Sequence, residues 1–253
     1  MRARVEYLDP LIQITGFLSF IGTLFAFFLI CLIVLKARRY QDKLLYVFAL
    51  YLIGLNTAWY SSAFSYIFWV FTKHTFIDEV YIVLGTLGVP IYLMSWSYVY
   101  TTLIARKYRK KVLIWMGILS LLYYISVIIF MFAPQWLREL LIGFLNNPFD
   151  SEYRGFVLVF IIFAMIFGDI TIPHFCLISI RDSKSAVRRW NGIFFLIATI
   201  LYNIGVIIDG FVDLEIIPLI IIRLIIFISA ILFYLGLIMP NWFKKILRIE
   251  EET

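Results

Sequence analysis

Seven long apolar runs, joined by short polar loops, constrain this 253-residue chain more than any other feature. A helix needs about 20 apolar residues to cross the roughly 30 Å hydrocarbon core of a bilayer, and each run reaches that length. Hydrophobic residues make up 63% of the chain, which is well above the usage of soluble domains. The sequence therefore predicts one all-α membrane domain, a seven-transmembrane-helix bundle with helices at about residues 11–35, 44–72, 80–104, 112–133, 155–180, 190–212 and 216–239.

Two segments outside these runs carry apolar residues at helical spacing beside basic ones. They are residues 135–146, which include Trp136, and residues 241–249, which include Trp242. Both patterns predict amphipathic helices that lie on the membrane surface. The first apolar run follows Arg2 and Arg4, but it is longer than the apolar core of a signal peptide, so we expect a retained helix.

The distribution of positive charge predicts the orientation of the bundle. Of the 22 Lys and Arg residues, only five lie in the N-terminal tail and the even-numbered loops, namely Arg2, Arg4, Lys73, Arg138 and Arg154. Nearly all the others lie in the odd-numbered loops and the C-terminal tail. Since retained positive charge marks the cytoplasmic side, the sequence predicts an N-terminus outside and a cytoplasmic C-terminus. Contact with anionic lipid explains the basic loops better than nucleic acid does.

Ionisable residues inside apolar runs are costly and usually face the bundle interior. Asp209 in the sixth run and Arg223 in the seventh lie on either side of a short loop. Because side chains tilt towards the N-terminus of their own helix, the two are expected to meet. The pair is interpreted as a structural ion pair between helices six and seven, with recognition of an anionic ligand by Arg223 as the alternative.

A third ionisable residue, Asp169, lies mid-way along the fifth run. Pro173 removes the helical partner of the Asp169 carbonyl and predicts a kink, and Pro90 does the same in the third run. His174 projects away from Asp169 around the helix. Asp169 is interpreted either as a carboxyl group hydrogen-bonded to a neighbouring helix or as a proton or cation site. Further candidates for a ligand or ion path are His174, Asn56, Trp59, Ser95, Trp96 and Asn203, although small polar residues also join membrane helices.

The residue inventory argues against several classes of seven-helix protein. The seventh run has no lysine for a retinal Schiff base, and the two histidines are too few for a membrane zinc hydrolase. No glycine-rich serine turn is present for intramembrane proteolysis. The triplet expected at the foot of helix three in G-protein-coupled receptors is replaced by Ala105, Arg106 and Lys107. We therefore expect no enzyme activity, no cofactor and no metal.

The last third of the chain, where Gly205 and Asp209 precede IIRLIIFISAILFYLGLIMPNWFKK (residues 221–245), resembles a set of uncharacterised seven-helix membrane proteins of Asgard archaea. The overall plan is also similar to the seven-helix sensor regions of histidine kinases. This resemblance implies a fold and no activity.

The leading hypothesis is a receptor-like integral membrane sensor in the cell membrane that signals through cytoplasmic loops to a separate partner. The alternative is a small solute or ion transporter or channel, with a polar path through Asp169. In the first case the partner is expected at two basic segments, residues 106–111 and 181–189, whose charges are Arg106, Lys107, Arg109, Lys110, Lys111, Arg181, Lys184, Arg188 and Arg189.

Overall fold

The computed structural model describes residues 7–183, 185–212, 214–247 and 249. In this part of the chain, six helices are long and apolar enough to cross a membrane, and a bent pair of shorter helices makes a seventh if the pair forms one crossing. Such helices indicate a multi-pass membrane protein with an almost entirely helical fold. The predicted number of seven therefore depends on the bent pair.

The elements follow one another as a series of helices interrupted once by a short hairpin. They are α1 (Pro10–Tyr40), α2 (Lys43–Leu55), α3 (Thr57–Thr72), α4 (Asp78–Thr86), α5 (Val89–Leu103), a 3-10 turn (Arg106–Tyr108), α6 (Arg109–Met131), α7 (Gln135–Leu141), β1 (Gly143–Asn147), β2 (Asp150–Tyr153), α8 (Gly155–Asp182), α9 (Ala186–Phe211), α10 (Ile216–Ile238) and α11 (Asn241–Ile246).

The chain contains two compact units, and the single membrane domain stays a prediction. The first unit contains α1 up to Phe27 together with Val47–Phe167, and the second contains Phe28–Tyr46 and the chain from Gly168 onward. All three boundaries fall inside helices, namely α1, α2 and α8. No loop or change of composition marks them, which is why the division is not visible in the sequence.

The second predicted span is bent. The sequence predicts one helix over residues 44–72, but α2 ends at Leu55, α3 begins at Thr57, and the two helices differ in direction by 62°. Hydropathy measures the length of an apolar run and not the direction of the helix, so the apolar run does not indicate the bend. The amide Nδ2 of Asn56, at the bend, donates a hydrogen bond to the carbonyl of Leu52 at 2.8 Å.

The third predicted span is also interrupted, at Leu87 and Gly88 between α4 and α5. Pro90 lies in the first turn of α5, where its missing N–H leaves no helical bond unmade. Pro90 therefore lies just after the interruption, and α4 and α5 together, Asp78–Leu103, still form one candidate span. Pro173, by contrast, lies inside α8, which continues through it.

The bend in the second span and the break in the third pack directly against each other. The Thr57 hydroxyl accepts a hydrogen bond from the Gly88 backbone N–H at 3.1 Å and donates one to the Leu84 carbonyl at 3.3 Å. A Cβ at Gly88 would lie 2.7 Å from the Thr57 side chain, and one at Gly54 would overlap the backbone nitrogen of Tyr92. The phenol of Tyr124 donates to the Leu87 carbonyl at 2.7 Å. Side chains of other helices thus satisfy backbone groups that the break releases, as an apolar environment requires.

The predicted surface helix over residues 135–146 is only partly helical. α7 ends at Leu141, and the chain then forms the antiparallel hairpin of β1 and β2, with Gly143 opposite Tyr153 and Asn147 opposite Asp150. Gly143 has φ +130°, a conformation that side chains strongly disfavour. The turn therefore ends the helix earlier than the apolar spacing suggests. The predicted surface helix at the C-terminus corresponds to α11, and Arg248 lies outside the described residues.

In the second unit, α9 and α10 form an antiparallel pair held close by glycines. A Cβ at Gly236 would lie 3.0 Å from the backbone nitrogen of Phe195, and one at Gly205 would lie 2.5 Å from the Ile226 side chain. Close approach of backbones at small residues is typical of helix packing in membranes. The ammonium group of Lys36 donates to the carbonyl of Ile238 at the end of α10, where cations are favoured.

We expect the Gly54→Ala substitution to destabilise the first unit by about 1 to 3 kcal/mol, because the added methyl group meets backbone atoms that cannot move independently. Gly210→Ala in α9 is the matched control, since a Cβ there has no atom within 4 Å. Thermal unfolding of both purified variants in detergent micelles measures the difference. Equal melting temperatures for the two variants would contradict the close packing of α2 against α5.

Candidate functional site

A group of buried hydroxyl side chains occupies the interior of the first unit. Ser61 and Ser62 of α3 and Tyr81 of α4 are at most 4% exposed, and Tyr123 of α6 is fully buried. With Tyr153, the last residue of β2, these residues are called the hydroxyl cluster below. Every member is an alcohol or a phenol, each of which can both donate and accept hydrogen bonds.

The bend at Asn56 and the small size of Gly85 bring the cluster together. α3 presents Ser61 and Ser62 to α4, where both hydroxyls lie beside the Tyr81 phenol. A Cβ at Gly85 would overlap the Tyr153 phenol oxygen and lie 2.9 Å from the Ser61 hydroxyl. The Tyr153 phenol therefore occupies the space that a larger residue at position 85 would fill.

The Tyr153 phenol is a neutral group at physiological pH. Burial raises the pKa of Tyr153, a hydrogen bond with Ser151 opposes the shift, and the nearby Asp150 carboxylate adds to it, so that the pKa of Tyr153 is about 12. A phenol with such a pKa stays protonated and can donate a hydrogen bond at any physiological pH. The cluster as defined consequently carries no charge, which favours uncharged ligands.

The tip of the hairpin is buried against α1 and α3. Phe149 is 2% exposed and makes edge-to-face contacts with Tyr66 and Trp69 of α3, at ring-centroid distances of 5.8 and 6.2 Å. A Cβ at Gly16 of α1 would lie 2.7 Å from the Phe149 ring. The Ser65 hydroxyl donates to the Pro148 carbonyl at 3.0 Å. Aromatic packing and one polar contact thus attach the hairpin to α1 and α3.

Charged side chains lie at the hairpin and the neighbouring helix ends rather than in the cluster. Arg138 of α7 forms an ion pair with Glu79 in the first turn of α4. Arg154 contacts Glu152 at 2.8 Å and lies over the Phe144 ring at 4.5 Å. The first pair ties α7 to α4, and the second lies on the exposed side of the hairpin.

The predicted path residues of the first unit do not form one polar site. Trp59 is 8% exposed and Ser95 is 7% exposed, while the fully buried Trp96 packs against the rings of Tyr51 and Phe48 at 5.4 and 6.4 Å. Trp96 thus belongs to an aromatic core, and Asn56 bonds to its own helix.

The structure brings Asp169 and Asn203 together in the second unit. The Asn203 amide donates a hydrogen bond to a carboxyl oxygen of Asp169. Asp169 lies on the surface of the chain and not in its interior, and His174 is also exposed. Asp169 is therefore exposed where the sequence predicts an interior position, and its bond to a neighbouring helix agrees with the first of the two interpretations given above.

The structure also brings Asp209 and Arg223 together, across the loop between α9 and α10. The distance from Arg223 Nη2 to Asp209 Oδ2 is 3.1 Å, and the two side chains are 9% and 14% exposed. A buried guanidinium and carboxylate at this distance stabilise each other, whereas either charge buried without the other would destabilise the fold.

Sequence analysis missed Phe149, Tyr153 and Tyr81. The signal that was available is the Asn147–Pro148 dipeptide, which favours a turn, between Gly143 and Gly155. Within residues 7–183, 185–212, 214–247 and 249, no three His, Cys, Asp or Glu side chains are grouped in a way that could hold a metal ion.

No protein family model matches this chain, and no curated protein or solved structure matches it either.

We expect Arg223→Leu alone to lower the free energy of unfolding by about 3 to 5 kcal/mol, because it leaves the Asp209 carboxylate buried without its cation. The double variant Arg223→Leu, Asp209→Leu should recover most of this loss, since both charges are then gone. Equilibrium unfolding in mixed micelles of the two single variants and the double variant measures the coupling. Additive effects, within about 0.5 kcal/mol, would contradict a stabilising pair.

Proposed function

We propose that this protein is a receptor-like membrane sensor whose hydroxyl cluster binds a small uncharged molecule, and not an enzyme. The observation that supports this is the placement of buried hydroxyls beside Tyr153, at the end of the hairpin. Ligand sites in helical proteins are typically formed between helices, with a few polar groups among apolar walls. The cluster, together with the aromatic residues Tyr66, Trp69 and Phe149 of the same unit, has this composition.

The hairpin provides the conformational element that such a sensor needs. Its contacts with α1 and α3 through Phe149 and Pro148 are separate from the contact of Tyr153 with Gly85 and Ser61. A ligand that hydrogen-bonds to Ser61 and Ser62 competes with the Tyr153 phenol for the same space. Binding would thus favour a state in which the end of β2 is displaced, as a population shift requires.

The basic segments supply the proposed output surface. Arg106, Lys107, Lys110 and Lys111 are exposed at the start of α6, and Arg181, Arg188 and Arg189 are exposed around the loop between α8 and α9. We propose that they face the cytoplasm and contact an acidic surface of a separate protein. The similarity in plan to seven-helix sensor regions supports the same assignment.

Thermal stability in the presence of small molecules tests the ligand class. We expect at least one neutral compound from a panel of sugars, polyols and small phenols to raise the melting temperature of the purified protein. Removing hydroxyls with Ser61→Ala and Tyr153→Phe should abolish this increase. Ser229→Ala is the matched control, because Ser229 is a fully buried serine in the second unit.

Three results would contradict the proposed function. They are the absence of stabilisation by any neutral compound, stabilisation that persists in the double variant, and protein-dependent flux of ions into liposomes. The last result would favour the transporter alternative.

Cysteine labelling in intact cells tests the proposed orientation. In a Cys31→Ser, Cys176→Ala background, we expect Asn146→Cys, at an exposed position of the hairpin, to react with a membrane-impermeant maleimide. Lys110→Cys should react only after the membrane is permeabilised, because retained positive charge marks the cytoplasmic side. Labelling of Lys110→Cys in intact cells would overturn both the orientation and the proposed cytoplasmic partner.

A further inference from the structure

Asp169 and Asn203 form a polar pair far from the ends of the long helix α8. Asp169 lies about half-way between Gly155 and Asp182, roughly 20 Å from either end at the rise of an α-helix. Such a depth corresponds to the hydrocarbon core of a bilayer. Lipid headgroups, which lie at the membrane surfaces, are therefore too distant to hydrogen-bond to the pair.

The surroundings of the pair on the chain surface are apolar. Ile170 of α8 is 65% exposed, and Ile204 and Ile207 of α9 are 44% and 48% exposed. Asp169 is exposed among them. The hydrogen bond from Asn203 to Asp169 thus lies on a surface that would otherwise suit acyl chains.

The Asn203 amide and the Asp169 carboxyl group can form more hydrogen bonds than the one between them. The amide of Asn203 has two hydrogens and a carbonyl oxygen, and the carboxyl group of Asp169 has two oxygens. Acyl chains offer neither donors nor acceptors, so further bonding to protein groups is favourable at this depth. Polar residues inside membrane spans accordingly lie against protein or in water-filled cavities.

We propose that this surface of α8 and α9 binds the same surface of a second copy of the chain, with Asp169 and Asn203 at the centre of the contact. A twofold axis along the membrane normal places each pair opposite its equivalent at the same depth, without any further requirement. The pair is also self-complementary, because the Asn203 amide of one copy can donate to the Asp169 carboxyl group of the other. Two reciprocal interhelical hydrogen bonds result. An unrelated partner would have to supply a matching polar group at that depth.

Disulfide cross-linking in lipid vesicles tests the position of the contact. In the Cys31→Ser, Cys176→Ala background, we expect Ile204→Cys to form a covalent dimer under mild oxidation. Ile228→Cys in α10 is the matched control, because it is 49% exposed but lies outside the proposed surface, and it should remain monomeric. Equal cross-linking of the two variants would overturn the proposal.

Single-molecule photobleaching at graded protein-to-lipid ratios tests the role of the polar pair. We expect wild-type dimers, and a shift of the dimerisation midpoint to roughly tenfold higher protein density in Asp169→Leu, Asn203→Leu, since two interhelical bonds are lost. Asp169→Asn, which keeps the capacity to accept a bond, should dimerise like the wild type. Melting temperatures show whether each variant is folded.

Provided that the variants are folded, two outcomes would overturn the proposal. The first is a monomer at every density, in which case the pair faces lipid or another protein. The second is a dimer that Asp169→Leu, Asn203→Leu does not weaken, which would place the contact on another surface. Neither outcome bears on ligand binding at the hydroxyl cluster, so the two proposals fail independently.

Discussion

The Thr57 hydroxyl, bonded to the Gly88 N–H and the Leu84 carbonyl, is the contact on which the interior of the first unit depends. In hydrocarbon a broken helix must find new partners for its released backbone groups. Because these bonds hold the bend of the second span against the break of the third, α3 departs from α2 at 62°. Because α3 does not continue in the direction of α2, Ser61 and Ser62 face α4. A mostly apolar sequence can therefore enclose a polar interior.

Sequence reasoning succeeded where structure is determined locally. The predicted span at residues 216–239 agrees closely with α10 (Ile216–Ile238), because the length of an apolar run is read directly from the chain. Asp209 and Arg223 lie on adjacent antiparallel helices joined by a short loop, so their meeting follows from helix geometry. The same reasoning predicted α7 but continued it through Gly143, since spacing alone does not register a positive φ.

The sequence does not determine which neighbouring element each face of a helix packs against. The bend at Asn56 is determined by contacts of Gly54 and Thr57 with Gly88, which lies more than 30 residues further along the chain. An ionisable residue such as Asp169 is expected to face the bundle interior, but which side of α8 faces protein depends on where the other helices pack. Tyr153 lies in a segment without helical periodicity. Its membership of the hydroxyl cluster is visible only from the close approach of its phenol oxygen to Gly85.

The two carboxyl groups of the second unit show how local surroundings assign different roles to the same chemistry. Asp209 has a guanidinium 3.1 Å away in a largely buried setting, so its charge is balanced within one chain. Asp169 accepts a hydrogen bond from the Asn203 amide and lies on the surface, where a second copy is proposed to complete its bonding. The neighbouring group, a guanidinium for Asp209 and an amide for Asp169, thus distinguishes the two carboxyl groups although their chemistry is the same.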